Sequence, residues 1–154
     1  MASDPTIEAA RSIVEGRLAA IRAGLDGAST ESLNWRPAGP DSNSMAVLTV
    51  HALSSTRFWL SVALDAPPAD RDRDSEFRTE VAGLDELLAF VDRVEPDIRA
   101  ALDGGAGYEP GARREAKDVT AAWALLLAVE HLGEHVAHLE LTRQLWDRAG
   151  GGPG

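Results

Sequence analysis

The residues of this chain best suited to metal chemistry are its four histidines. His131, His135 and His138 lie in one apolar helical segment, and His51 lies in a second. At 3.6 residues per turn, His131 and His135 project from one side of a helix one turn apart, so both imidazoles can reach one ion. His51 is then left to supply a third ligand. The sequence therefore predicts a three-histidine metal site between two helices.

Spacing limits which histidines can share an ion. His131 and His138 fall on one face, but they are seven positions apart in the sequence. This separation corresponds to roughly 10 Å along a helix, which is too far for both to bind one ion. The pairs 131/135 and 135/138 remain, and the first is favoured because i, i+4 ligand pairs are the commoner arrangement. The segment HLGEH is not the HExxH motif, because Leu132 follows its first histidine. No protease general base is implied.

Two neighbours of the predicted ligands, Glu134 and His138, are candidates for a catalytic role. Glu134 faces nearly the same side as His135 and could accept a proton, with an ordinary surface position as the alternative. His138 could hydrogen-bond a ligand or a substrate, or only line the pocket. For both residues the sequence leaves open whether the side chain has a catalytic role or only a surface or lining position.

The apolar pattern favours an inward orientation of the histidines over a solvated helix face. In the last helix the apolar stripe continues through the histidines at three- and four-residue steps: Trp123, Leu127, His131, Glu134, His135, His138, Leu141, Thr142 and Leu145. In the second helix the corresponding stripe is Val47, Leu48, His51, Ser54, Ser55, Phe58 and Val62. A single inward histidine is more often a hydrogen-bonded core residue than a metal ligand. Three inward histidines from two helices favour a metal site instead.

Composition excludes several other classes of protein. A net charge of -10 opposes binding to nucleic-acid phosphates or anionic lipid, so neither nucleic acid nor a membrane is an expected partner. The chain has no cysteine, so any catalytic thiol must come from a cosubstrate. With no signal-peptide pattern and no apolar run of membrane-spanning length, the expected location is the cytoplasm.

Helical periodicity predicts an all-α four-helix bundle with long polar loops, and no stretch alternates with strand period. The expected helices cover residues 5–28, 45–64, 84–102 and 119–149. The first helix is expected to begin with Asp4 as its N-cap and Pro5 at its first position, and the second with Ser44 as its N-cap. The N-cap of the fourth helix is expected to be either Asp118 or Thr120.

The length of 154 residues predicts one domain over 1–149, followed by a disordered tail at 150–154. The charged stretch ADRDRDSEFR is interpreted as an exposed linker that holds at most a short helical turn over 75–81. Charge runs of this kind are usually solvated faces, so no function is assigned to it.

Two segments resemble the DinB-like (YfiT-like) metalloenzyme superfamily. LNWRPAGPDSNSMAVLTVHALSSTRFWL is similar to its Trp-x-Pro loop, serine cap and ligand-bearing second helix, and HLGEHVAHLELTRQLW resembles its fourth-helix HxxxH signature. The resemblance spans most of the chain and is closest to members related to the mycothiol-dependent S-transferases. After His135 many relatives have a glycine two positions on, where this chain has Ala137.

The resemblance implies a four-helix bundle, commonly a homodimer, that binds zinc, nickel, iron or manganese through residues matching His51, His131 and His135. Several members transfer thiols such as bacillithiol, mycothiol or glutathione. Three neutral imidazoles also leave coordination positions for water or substrate, which is the mark of a catalytic site. We expect a transferase that activates a small thiol for attack on an electrophilic substrate. A metal-dependent hydrolase and a non-catalytic metal-binding or stress-related protein are the alternatives.

Three further residues are weaker candidates for contacting an anionic substrate at the mouth of the site: Arg57, Tyr108 and Arg143. Exposed arginines on helices are mostly solvated or ion-paired. The sequence therefore gives them a lower rank than the histidines.

Overall fold

Helices make up most of the chain that the computed structural model describes, which is residues 4–67 and 70–150. In chain order the helices are α1 (Pro5–Leu25), α2 (Thr30–Asn34), α3 (Met45–Leu64), α4 (Arg73–Glu76), α5 (Leu84–Asp103) and α6 (Ala121–Arg148). Single 3-10 turns occur at Gly39–Asp41, Gly105–Gly107 and Glu115–Lys117, and β1 (Arg113–Arg114) pairs antiparallel with β2 (Val119–Thr120). The predicted all-α architecture, with its four long helices, is confirmed.

Side-chain caps explain where three of the long helices begin. The carboxylate of Asp4 accepts the backbone N–H of Thr6, and the Ser44 hydroxyl accepts that of Val47. At the start of α6 the Thr120 hydroxyl accepts the N–H of Trp123, which decides between the two predicted caps. Each bond satisfies a donor that the first helical turn leaves unpaired.

The predicted bounds of α3 are confirmed, whereas those of the other three long helices differ from the structure by one to three residues at one end or both. Helix α1 ends at Leu25 rather than at residue 28, and Gly27 follows with a φ of 63°, a left-handed conformation that glycine favours. Helix α6 begins two residues late because Val119 and Thr120 pair with β1. The single-domain boundary stays a prediction, and residues 151–154 of the predicted tail lie outside the described residues.

Helix α3 is the central element and positions His51. It packs against α6 on one side and α5 on the other, and α1 packs against α5 and α6. Because α3 is apolar around most of its circumference, nearly all of its first three turns is buried, including Ala52 and Leu53. His51 is therefore enclosed in the protein interior and only 3% exposed.

Helix α6 is rotated relative to the predicted stripe. Trp123, Leu141 and Leu145 were expected to face the core but are exposed. The face that packs on α1 and α3 comprises Ala121, Ala124, Leu125, Ala128, Leu132, His135, Val136, Leu139 and Thr142. Apolar residues occupy more than one side of α6, so its pattern alone does not determine which side packs.

No helix in the described ranges 4–67 and 70–150 is both long enough and apolar enough to cross a membrane. The helices instead bury one another's apolar faces. Their shared core includes Val14 and Leu18 of α1, Leu60 of α3 and Ile98 of α5.

Candidate metal centre

Three imidazole nitrogens meet between α3 and α6. The Nε2 atom of His131 lies 3.1 Å from Nε2 of His51 and 3.1 Å from Nε2 of His135. The three side chains form a group whose ligand atoms all lie within 4.8 Å of one another. The structure thus brings together the three histidines that the sequence selected as ligands.

The spacing of these nitrogens fits a shared ion. Imidazole nitrogens about 2.1 Å from one ion lie roughly 3.0–3.4 Å apart in octahedral or tetrahedral geometry. Both observed separations are 3.1 Å. Unprotonated nitrogens this close direct their lone pairs at one another, and a cation between them turns that repulsion into attraction. The donor set therefore fits a divalent metal ion.

A buried carboxylate orients His51. Its Nδ1 lies 2.7 Å from Oε2 of Glu76, and both side chains are 4% exposed. Because a carboxylate only accepts, the proton on Nδ1 is donated to Glu76 and the lone pair remains on Nε2, which faces the other histidines. A carboxylate in this position fixes both the tautomer and the orientation of a ligand histidine.

Arg71 neutralises the Glu76 carboxylate. Its Nε donates to Oε1 at 2.8 Å and its Nη2 donates to Oε2 at 3.0 Å, which is the two-pronged pairing that guanidinium and carboxylate prefer. Phe77 adds an apolar contact, with its ring 4.5 Å from the His51 ring. Residues 71–77 therefore cover His51 with an ion pair and an aromatic ring.

This arrangement corrects the interpretation of the charged stretch as an exposed linker without function. Arg71 and Phe77 are half-buried, Glu76 is buried, and the helical turn spans Arg73–Glu76 rather than 75–81. Burial is possible because each charge has a partner inside the protein. One signal was present in the sequence, since Phe77 is an aromatic residue in a run that is otherwise charged or polar.

Burial keeps two of the histidines neutral. Burial, together with the smaller effect of the neighbouring imidazoles of His131 and His51, lowers the pKa of His135 to about 3. Burial also lowers the pKa of His51, although the hydrogen bond to Glu76 opposes this shift. Neutral imidazole is the form that binds metal, so little proton competition is expected at neutral pH.

Acidification is expected to lower the melting temperature of the metal-free protein. The pKa of His135 is about 3 in the folded chain against an ordinary value of 6.5. Between these values the unfolded chain binds a proton that the folded chain excludes, so the free energy of unfolding falls as pH decreases through this window. Melting curves of wild type and His135→Gln between about pH 7 and pH 4 test this, because the variant lacks the group. An equally steep pH dependence in His135→Gln would contradict it.

The remaining nitrogens differ in their surroundings. Nδ1 of His131 lies 3.5 Å from Oε2 of Glu134, and this histidine is partly exposed. Nδ1 of His135 is buried and has no hydrogen-bond partner among the residues of 4–67 and 70–150. Nε2 is therefore the His135 nitrogen that meets a polar group, and it faces His131.

A pocket of about 450 Å³ opens onto two of the histidines. It is lined by His51, Ser55, Phe58, Trp59, Arg71, Arg73, Lys117, Leu127 and His131. The histidines lie at its buried end, whereas Arg73 and Lys117 are exposed. A small molecule can therefore approach the ligand nitrogens from solvent.

Glu134 and His138 occupy different positions relative to this pocket. Both are exposed, and Glu134 contacts the outer nitrogen of His131. The His138 ring lies 5.7 Å from the His135 ring and lines a separate cleft of about 180 Å³. Their catalytic roles stay predictions.

The three weaker candidates do not line the histidine pocket. Arg57 pairs with Asp97, and Arg143 donates to the carbonyl oxygen of Gly24. Tyr108 is buried in the core. The cations that do line the pocket lie in segments that the sequence presented as solvated loops.

Comparison with known proteins agrees with the fold and the histidines. No curated protein and no solved structure matches the chain significantly. The family model described as the DinB superfamily matches residues 10–139, a range that contains all three converging histidines, the whole of α3 and α5 and most of α1 and α6. The chain therefore belongs to the DinB superfamily.

Proposed function

We propose that the protein is a metal-dependent enzyme that activates a low-molecular-weight thiol, of the mycothiol, bacillithiol or glutathione type, for transfer to an electrophilic substrate. The observation that carries the proposal is the convergence of three Nε2 atoms beside an open pocket, which is lined by two of the three histidines, His51 and His131. Structural metal sites are usually closed by four protein ligands, whereas catalytic sites keep a position for substrate. Three histidines leave such a position.

The proposed metal is zinc or nickel, with iron or manganese as further candidates. Imidazole donors suit several of these ions, and the lowered pKa values of His51 and His135 keep both donors unprotonated. A divalent ion at this site would lower the pKa of an approaching thiol and so favour the nucleophilic thiolate at neutral pH.

The absence of cysteine from the chain supports an external thiol, because no side chain of the protein carries a thiol group. Phe58, Trp59 and Leu127 line the approach with apolar surface. Glu134 is proposed as the proton acceptor, since its carboxylate is the exposed acidic group nearest His131. His138 is proposed to act through its neighbour His135 or on substrate in the separate cleft that it lines.

Cobalt substitution provides the test. Adding glutathione, mycothiol or bacillithiol to the cobalt protein is expected to produce a sulfur-to-cobalt absorption band in the near ultraviolet. Because the chain lacks cysteine, no thiolate band arises from the protein itself. Absence of the band with every thiol would contradict thiol activation. Hydrolysis of ester or amide substrates without thiol would favour a hydrolase, and metal binding without turnover would favour a non-catalytic role.

Removing the metal is expected to abolish activity while preserving the helices. The four apolar helix faces already supply a core, so the chain is expected to fold without metal, and metal binding then stabilises the fold further. Metal at a thousandfold excess over Kd stabilises the native state by roughly 4 kcal/mol, which raises the melting temperature. Chelator treatment should lower the melting temperature and leave the far-ultraviolet circular dichroism unchanged at room temperature. Collapse of the helical signal would show the ion to be structural.

We also propose that the protein is a cytoplasmic homodimer. Large apolar side chains remain exposed on α6, among them Leu126 at 66% and Leu141 at 53%. Exposed apolar area of this kind is often covered by a symmetric partner. Sedimentation at micromolar concentration is expected to give twice the chain mass of 16.4 kDa. A single species of chain mass would contradict the dimer.

A further inference from the structure

We propose that the pocket above the histidines binds a small organic acid, with Arg73 and Lys117 holding its anionic group and the aromatic wall holding its apolar body. This inference rests on the proposed function and names the substrate class of the same site. It follows from the charges, the aromatic contacts and the burial of the residues that line the pocket.

The charge of the pocket is opposite to that of the protein. The whole chain carries a net charge of -10, yet Arg71, Arg73 and Lys117 all line this one pocket. Among the described lining residues there is no carboxylate. A local concentration of one sign of charge within a concave surface attracts ligands of the opposite sign.

Two of these cations have donors available for a ligand. Arg71 is occupied by Glu76, which neutralises it. Arg73 lies over the Phe77 ring at 4.9 Å, and Lys117 lies over the Phe58 ring at 4.9 Å.

Neither Arg73 nor Lys117 forms an ion pair with any residue of the described ranges. Cation–π contacts hold the charged groups in place and leave their N–H donors free. The two side chains are therefore positioned at the mouth of the pocket to receive an anionic oxygen group.

The apolar wall selects the rest of the ligand. Phe58 and Trp59 contact each other edge to face at 5.2 Å, and Trp59 also meets Trp123 at 5.5 Å. Within the pocket Phe58, Trp59 and Leu127 form an apolar surface that suits a flat apolar group, and Trp123 supports Trp59 from outside the pocket lining. The volume of about 450 Å³ lies in the range of ordinary small-molecule sites.

The different burial of the lining residues determines how the bound acid is oriented in the pocket. His51 is buried and His131 is partly exposed, whereas Arg73 and Lys117 are exposed. An acid held by the two cations therefore extends inward along the aromatic wall toward the ligand histidines. This orientation would present the carbon farthest from the anionic group to the reacting thiol.

A matched pair of probes tests the proposal without any thiol. The Kd values of 3-phenylpropionate and of its neutral isostere 3-phenylpropanamide are measured by calorimetry on metal-loaded and metal-free protein. The carboxylate is expected to bind at least about tenfold more tightly than the amide, as hydrogen bonds to charged groups allow. Because Arg73 and Lys117 are exposed, the preference should weaken at about 0.5 M salt.

Variants assign the preference to the two cations. Arg73→Gln and Lys117→Gln should each reduce the preference for the carboxylate, and the double variant should abolish it. Arg93→Gln is the matched control, because Arg93 also lies over a phenylalanine ring, that of Phe90 at 5.3 Å, but does not line the pocket. The control should retain the wild-type preference.

Three results would overturn the proposal: equal affinity for both probes in wild type, a preference that survives in the double variant, or a preference that disappears only on metal removal. The last would show the carboxylate bound to the ion. The outcome is independent of thiol activation, which the cobalt absorption band reports. Loss of the carboxylate preference with an intact thiol band would leave the proposed function standing.

Discussion

The His51→Ala variant is expected to lose its bound metal almost completely. The substitution removes the only ligand from α3 and leaves two histidines on α6. Removing a residue that hydrogen-bonds a metal ligand already lowers metal affinity about 10–100-fold. Removing a ligand itself should therefore lower metal affinity by more than about 100-fold. Elemental analysis after dialysis measures the effect directly. His131→Ala and His135→Ala should give the same result, because each supplies one of the converging nitrogens.

His138→Ala is the matched control for these variants. His138 is on the same helix but is exposed and lines a different cleft. It should retain stoichiometric metal and the wild-type rise in melting temperature on metal addition. Stoichiometric metal in His51→Ala would show that the ion is held by α6 alone and that the two-helix site is wrong.

The starts of α1 and α3 were predictable because they depend on local chemistry. Asp4 and Ser44 are short polar residues directly before apolar periodic segments, and each caps the helix that follows it. The proximity of His131 and His135 was predictable for a related reason. The i, i+4 geometry of His131 and His135 depends only on the helix that contains them.

The packing of α6 was less accessible from sequence. Leu125, Leu126 and Leu127 are consecutive, so they lie on different sides of the helix and each side has apolar character. The choice of buried side depends on where α1 and α3 lie, which is a tertiary property. As a result Leu126 is 66% exposed while Leu125 is 2% exposed.

The surroundings of the metal site depend on contacts between residues distant in sequence. Glu76 meets His51 across a separation of 25 residues, and Lys117 reaches Phe58 from the loop before α6. Composition alone marks the charged stretch that contains Glu76 as solvated, because a charged residue is buried only where it finds a partner inside the protein. That partner cannot be identified from the charged run itself.

Replacing Glu76 by glutamine is expected to reduce metal affinity about 10–100-fold, the usual effect of removing a carboxylate that hydrogen-bonds a ligand histidine. The amide has no charge to hold the Nδ1 proton of His51 or to neutralise Arg71. His51 would then sample other ring orientations and the other tautomer, so its Nε2 would be available for less of the time. Titration of metal into the apo-protein measures the loss.

Glu95→Gln separates this effect from a general loss of stability. Glu95 is also a 4% exposed carboxylate, and it is also held by arginines, Arg22 and Arg99, but it contacts no histidine. Both substitutions remove a buried charge that arginine neutralises, so both should lower the melting temperature of the apo-protein. Only Glu76→Gln should also weaken metal binding. Equal metal affinity in the two variants would mean that Glu76 stabilises the covering segment without orienting His51.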